Sequence, residues 1–163
     1  MDVTIRPMTL EDIEQVHRID VLSFTLPWPE RSFRFELIEN RSSRLWVAEV
    51  SNDGVNRQIA AATVFWIIMD EGHIGTFAVH PDYRRQGLGC RLLAQSLLES
   101  WKDGVRKVFL EVRRGNMAAQ QLYRKFGFED QGIRPRYYRD TGEDALLMVL
   151  DPLEPDQLAQ WLK

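Results

Sequence analysis

The six residues Arg84-Arg85-Gln86-Gly87-Leu88-Gly89 bring cations, glycines and a helix start together. They follow an apolar run, Ile74 to Val79, and a turn, His80-Pro81-Asp82, and they lead into a helical pattern from Leu88 to Trp101. Amides in the first turn of a helix have no partner within the helix. The helix dipole adds partial positive charge at the same end. Gly87 and Gly89 lack a Cβ, so a ligand can lie against their backbone. Arg84 and Arg85 add donors suited to phosphate oxygens. The chemistry on offer is phosphate binding. A helix-entry turn with two solvated arginines accounts for the same residues. The Gly-Lys-Ser/Thr ending of a Walker loop is missing, and so is Gly-x-Gly-x-x-Gly, so neither signature names the ligand.

The elements that must hold this loop are legible from periodicity and turn residues. Val3 to Arg6 reads as a short strand ended by Pro7. Thr9 suits an N-cap for a first helix to about Phe24, with Ile13, Val16 and Ile19 on one stripe. Pro27-Trp28-Pro29 breaks it and opens a second helix carrying Phe33, Leu37 and Ile38. Strands follow at Leu45 to Val50, Gln58 to Met69 and His73 to Val79, separated by Ser51-Asn52-Asp53-Gly54 and Asp70-Glu71-Gly72. Leu92, Leu93, Leu97 and Trp101 stripe the third helix. Lys107 to Val112 is a strand, apolar on both alternating faces except for Glu111, and so expected to be covered on both sides. Asn116 suits the N-cap of a fourth helix, Met117 to Phe126, with Gly127 at its end. From Phe128 the chain reads as extended through Tyr137-Tyr138, turns at Asp140-Thr141-Gly142, and returns as a strand from Ala145 to Leu150.

The order β-α-α-β-β-β-α-β-α-β-β predicts an α/β fold with a mixed central sheet flanked by helices. It places an antiparallel meander at one end and a right-handed crossover between the central strands. Residues 1–152 are expected to form a single domain, with 153–163 a short C-terminal helix or tail. The sequence has 163 residues, 44% hydrophobic and 28% charged, with a net charge of -3, so nothing at whole-chain level argues for a nucleic acid or membrane partner. The single cysteine, Cys90, cannot form an internal disulfide. No signal peptide is visible after Met1, and the longest apolar run, Ile59 to Met69, is too short to span a bilayer. The expected location is cytoplasmic.

The order of elements, with Arg-x-x-Gly-x-Gly after the fourth strand, resembles the GNAT superfamily of acetyl-CoA-dependent N-acetyltransferases. Phe77 to Gly89 looks like the cofactor segment of that superfamily. Leu110-Glu111-Val112-Arg113, Asn116, Leu122-Tyr123, Gly127-Phe128, Tyr137-Tyr138 and Glu143-Asp144-Ala145 look like the bacterial ribosomal-protein-alanine N-acetyltransferases. Nearly the whole chain takes part in the resemblance. It implies acetyl-CoA as co-substrate, no metal, and a protein N-terminus, ribosomal in that family, as partner. It implies that the backbone of Phe77, Ala78 and Val79 holds the pantetheine arm. Arg84, Arg85, Gln86, Gly87, Leu88, Gly89 and Cys90 form the pyrophosphate segment, and Asn116 binds the cofactor arm. Glu111 is implied as proton acceptor, Tyr123 as proton donor, and Tyr137 and Tyr138 as lining of the acceptor groove.

The chemistry gives these roles a reason. An α-amine has a reference pKa near ~8, so much of it is protonated at neutral pH, and only the neutral amine attacks a thioester. A carboxylate can take the proton directly or through one water. Burial on an apolar strand is expected to raise the pKa of Glu111 toward a useful value. The leaving group is a thiolate, to which a phenol can donate. Each residue also has a plainer reading: Glu111 at a solvated strand end, Tyr123 as a core aromatic, Asn116 as a helix cap, and Tyr137-Tyr138 as a strand pair. His73, at the start of the central strand, is a second base or a strand-end residue. Cys90 lies at a helix N-terminus, where a thiol pKa can fall. Two other functions fit the residues: acetylation of a lysine side chain or a small-molecule amine, and a CoA-binding module without catalysis.

Overall fold

The structure is a computed structural model that describes residues 1–162. Its strands are β1 (Asp2–Pro7), β2 (Ser43–Ser51), β3 (Gln58–Ile68), β4 (Glu71–Val79), β5 (Lys107–Arg113), β6 (Glu129–Arg134) and β7 (Ala145–Leu150). Its α-helices are α1 (Ile13–Ser23), α2 (Glu30–Ile38), α3 (Leu88–Lys102) and α4 (Met117–Lys125). The element order is the one the sequence predicts. Short 3₁₀ turns precede α1 and follow β4. The terminal segment is also 3₁₀, at Pro155–Trp161. It packs Leu153 and Leu158 into the core and stacks Trp161 on Phe126.

All seven strands form one sheet in the order β1-β2-β3-β4-β5-β7-β6. Only the central pair, β4 and β5, is parallel, joined by α3. Helices α1 and α2 bury Ile13, Val16, Ile19 and Phe33 against Val47 and Val64. Helices α3 and α4 bury Leu93, Leu97 and Tyr123 against Phe65, Ile74 and Leu110. Apolar residues at helical spacing thus meet alternate residues of the strands, and the sheet divides two cores.

Two sequence expectations need correction. β6 ends at Arg134, so Tyr137 and Tyr138 lie in the connection to β7 and not in a strand. Pro135 has no amide to give a ladder, and Arg136 takes a left-handed φ of 52°, which turns the chain away. β5 is also not covered equally on both sides. Val108, Leu110 and Val112 are fully buried, whereas Phe109 and Glu111 on the other face keep partial exposure.

That partial cover follows from how the central strands part. In the β3–β4 ladder Val64 pairs with Thr76 but Phe65 pairs with Ile74, so Gly75 is a bulged extra residue. The β4–β5 ladder stops at Ile74 and Leu110. Beyond that rung the edge of β4 facing β5 has no strand partner. The Thr63 hydroxyl donates to the carbonyl of Thr76 at 2.7 Å and fixes the bulge from the neighbouring strand. Gly75 is required there, because a Cβ would lie 2.7 Å from the ring of Trp66. That ring cannot easily yield: it stacks on Trp28 and its indole N–H donates to Glu36 at 3.0 Å. Gly75→Ala is therefore expected to cost about 1–3 kcal/mol of stability. Thermal denaturation measures this, and an unchanged Tm would show that Trp66 moves aside freely.

Candidate active site

The parted strands open a cleft of about 560 Å³. β4 lines it from Ile74 to Phe77, β5 from Leu110 to Arg113, and α4 contributes Asn116, Ala119 and Tyr123. The connection between α1 and α2 and the loop between β6 and β7 form its remaining walls. Glu111, Tyr123, Asn116, Phe77, Tyr137 and Tyr138 are thus brought to one place from four segments of the chain. Ala78 and Val79 do not line it with their side chains. Ala78 packs against the α1–α2 side and Val79 against Ala48, Ala61 and Leu92.

The side chain of Glu111 is 10% exposed. Nε2 of His73 lies 2.6 Å from Oε2 of Glu111, and Nε of Arg134 lies 3.4 Å from Oε1. This corrects the expectation that burial raises the Glu111 pKa. The hydrogen bond from His73 outweighs the desolvation, and with the charges of His73 and Arg134 it holds the carboxyl below its ordinary value. Glu111 is an ionised acceptor at neutral pH.

Tyr123 packs its ring between Phe77 and Phe128. Its hydroxyl has no hydrogen-bond partner among the described residues, yet it is not sealed away, because the residue lines the cleft. Burial pushes the phenol well above its ordinary pKa, so the O–H stays protonated. Asn116 caps α4, with Oδ1 accepting from the amide of Ala119 at 3.2 Å. It lines the cleft as well.

The roof of the cleft is tied down by contacts the sequence reading did not foresee. Arg113 grips Asp140 with two hydrogen bonds of 3.0 and 2.8 Å, and Asp140 also accepts from the hydroxyl of Thr25. The Arg113 fork, followed by Thr25, holds the Asp140 carboxyl at about 2. The two connections therefore meet through one carboxylate. Arg113 also lies 4.0 Å over the ring of Tyr138, whose phenol burial pushes up to about 12. Glu143 accepts from the amide of Gly115 at 2.6 Å, and a Cβ at Gly115 would crowd that same oxygen at 2.7 Å. Arg113, Tyr138 and Glu143 stand in segments that carry the resemblance and Asp140 in a predicted turn, but nothing in the sequence joins them.

The loop 84–90 lies at the end of β4. None of the amides of 85–90 donates to another described residue. Arg85 and Gly87 both take left-handed conformations, at φ 62° and 82°. Turns of this kind direct successive amides into an anion-binding concavity. Leu88 is buried and anchors the loop. A Cβ on Gly89 would meet its neighbours at ordinary distances of 3.6 Å or more, so nothing inside the protein demands glycine there. Arg84 behaves differently from Arg85. Its guanidinium donates to the Val79 carbonyl at 2.9 Å and to the Ser23 hydroxyl at 3.2 Å, bracing the loop against β4 and α1. The Cys90 expectation is corrected: burial pushes its thiol up, despite its place at a helix start. Among the described residues no group of three His, Cys, Asp or Glu side chains is placed to hold a metal ion. No described helix is long and apolar enough to cross a membrane.

Comparison with known proteins agrees with this architecture. Residues 13–128 match the acetyltransferase (GNAT) family. A Bacillus subtilis protein provisionally named a ribosomal protein bS18-alanine N-acetyltransferase is 45% identical over 145 residues, 88% of this chain and 92% of the relative. The crystal structure of the ribosomal-protein-S18-alanine N-acetyltransferase from Escherichia coli superposes with a TM-score of 0.82 and 33% identity, covering 94% of this chain and 95% of that one. Arabidopsis thaliana NAA60 in complex with acetyl-CoA shares the fold at a TM-score of 0.82, with 20% identity over 92% of this chain and 98% of that one.

Proposed function

The chain belongs to the acetyltransferase (GNAT) family and is an N-acetyltransferase, and from that premise we propose that it moves an acetyl group from acetyl-CoA to the N-terminal α-amine of a protein, of the ribosomal-alanine type. One observation carries the reading. An ionised carboxylate on β5 and an unpartnered, protonated phenol on α4 line one cleft where the central strands part.

The residues fit the co-substrate. The free amides of 85–90 and the left-handed Arg85 and Gly87 suit a pyrophosphate. The unpaired edge of β4 from Gly75 to Val79 suits an extended amide-bearing arm, which adds like a strand. Asn116 stands on the facing wall. Acetyl-CoA supplies the activated acyl group as a thioester, and the protein supplies position and proton management.

Glu111 accepts the proton that the amine must lose before or as it attacks. Tyr123 keeps a hydrogen-bond donor ready for the sulfur that leaves. Because its phenol stays protonated, the donor is present at every working pH. Tyr137, half-exposed at the mouth, and Tyr138, held under Arg113, line the acceptor side. Orientation of the two substrates in the cleft lowers the barrier further.

The test is a panel of N-terminal peptides, including an alanine N-terminus, run against peptides with a free lysine and a blocked N-terminus, and against polyamines. Mass spectrometry is expected to find acetate on the α-amine. Acetylation confined to lysine or to the small amines would overturn the proposed acceptor. Absence of transfer to every amine, with acetyl-CoA still bound, would leave a binding module instead.

A further inference from the structure

Two walls of the cleft are connections and not regular elements: residues 24–29 between α1 and α2, and residues 135–144 between β6 and β7. Connections of this kind keep one shape only where something ties them. Here a single carboxylate ties both. Asp140 of the second connection accepts two hydrogen bonds from the Arg113 fork, at 3.0 and 2.8 Å, and another from the hydroxyl of Thr25 on the first. The Arg113 and Asp140 side chains are 21% and 14% exposed, so water competes little for the pair. A planar fork on a carboxylate fixes direction as well as distance. Arg113 stands at the end of β5, so the join between the two connections is referred to the sheet.

Each connection also sets an apolar side chain in the cleft lining that the core does not take up. Leu26 on the first is 56% exposed and Tyr137 on the second is 49% exposed. An occupant of the cleft would cover apolar surface on both walls.

We propose that Thr25 and Asp140 are specificity-determining residues for the acceptor: their contact, anchored on Arg113, holds the two connections at the separation that grips the chain behind the reacting α-amine. The assignment rests on the reading that a protein N-terminus is the acceptor. The amine itself needs only the groups at the parting of β4 and β5. The residues that follow it must be held by the walls. Contacts remote from the reacting atom position that atom only when the surfaces making them are fixed. With the join broken, the amine still fits beside Glu111, but the chain behind it loses a wall of defined place. An acceptor with no chain behind its amine is indifferent to the join. The co-substrate is indifferent too, because the loop 84–90 and the edge of β4 lie on other residues.

Two variants break the join with little change of shape. Thr25→Val removes the hydroxyl and keeps the branched side chain. Asp140→Asn keeps the size and removes the charge that Arg113 meets. Arg113 is left in place, since its guanidinium also covers Tyr138 at 4.0 Å and reaches Glu143 at 3.5 Å. Alanine amide and a hexapeptide beginning with alanine separate chemistry from grip. In each variant kcat/KM for the hexapeptide is expected to fall about ten-fold, chiefly through KM, while kcat/KM for alanine amide and the dissociation constant of acetyl-CoA stay within a factor of about two. The double variant should fall no further than Asp140→Asn alone, because both substitutions remove the same contact. Thermal denaturation checks that each variant is folded. Hexapeptide kinetics at the wild-type level in both variants would overturn the proposal. So would equal proportional losses on the two acceptors, or losses that multiply in the double variant. The parent reading fails separately, in the unsubstituted protein: acetate found only on lysine or polyamines would show that no N-terminus is gripped here, and the role of Thr25 and Asp140 would fall with it.

Discussion

Glu111→Gln is expected to lower kcat by about 10²–10⁴-fold while leaving acetyl-CoA affinity within a factor of about two. The amide has nearly the size of the carboxylate and can still meet His73, but it cannot take a proton. The loop 84–90 and the unpaired edge of β4, where the proposed function seats the co-substrate, lie on other residues, so its affinity is expected to hold. The pH profile sharpens the test. His73 holds the carboxyl below its ordinary value, so Glu111 is ionised across the neutral range. Activity carried by Glu111 falls only as the pH drops through that depressed value, and the acid limb it produces should vanish in the variant. Isothermal titration with acetyl-CoA and steady-state kinetics with a peptide acceptor give both halves. A variant that binds the co-substrate normally and turns over at the wild-type rate would remove Glu111 from the mechanism.

Tyr123→Phe is expected to reduce kcat by about 10²-fold, the usual cost of one donor aimed at developing negative charge. Stability should change by less than about 1 kcal/mol, because the hydroxyl has no partner within the protein and its loss leaves none unsatisfied. That separation is useful. A buried tyrosine that served only as core packing would lose neither activity nor stability on removal of its oxygen. The ring contacts with Phe77 and Phe128 survive in the phenylalanine. Burial places the phenol's ionisation above the working range, so the alkaline side of the rate profile should keep its shape in the variant. Stopped-flow or discontinuous thiol assays supply the rate, and thermal denaturation supplies the stability. Wild-type turnover in Tyr123→Phe would assign the residue to packing alone.

Much of this architecture is written locally. Pro27-Trp28-Pro29 ends α1, Ser51-Asn52-Asp53-Gly54 turns β2 into β3, and Gly127 stops α4, each through backbone preferences that need no tertiary partner. The order of elements could therefore be read from periodicity and punctuation. The extended reading of Tyr137-Tyr138 failed for a reason equally local but easily overlooked, the proline at 135 and the left-handed Arg136 after it. The resemblance carried by Glu111, Asn116, Tyr123 and Tyr137-Tyr138 pointed at residues that the fold gathers around one cleft. It did not point at Thr25, Asp140 or Trp66. Their importance lies in a partner distant in sequence, and residue type alone says nothing about that partner.

By itself the sequence determined the alternation of strands and helices, the glycine loop at the start of α3, and the presence of a lone carboxylate on an apolar strand. These follow from side-chain period, backbone freedom and polarity, which act over a few residues. The tertiary structure alone decided that β7 inserts between β5 and β6, that β4 and β5 part at Gly75, and that His73 meets Glu111 from 38 residues away. That last contact reversed the expected shift of the Glu111 carboxyl. Burial, which the sequence could suggest, raises a carboxyl pKa, but a hydrogen bond to the charged form lowers it, and only the folded chain determines which of the two is larger.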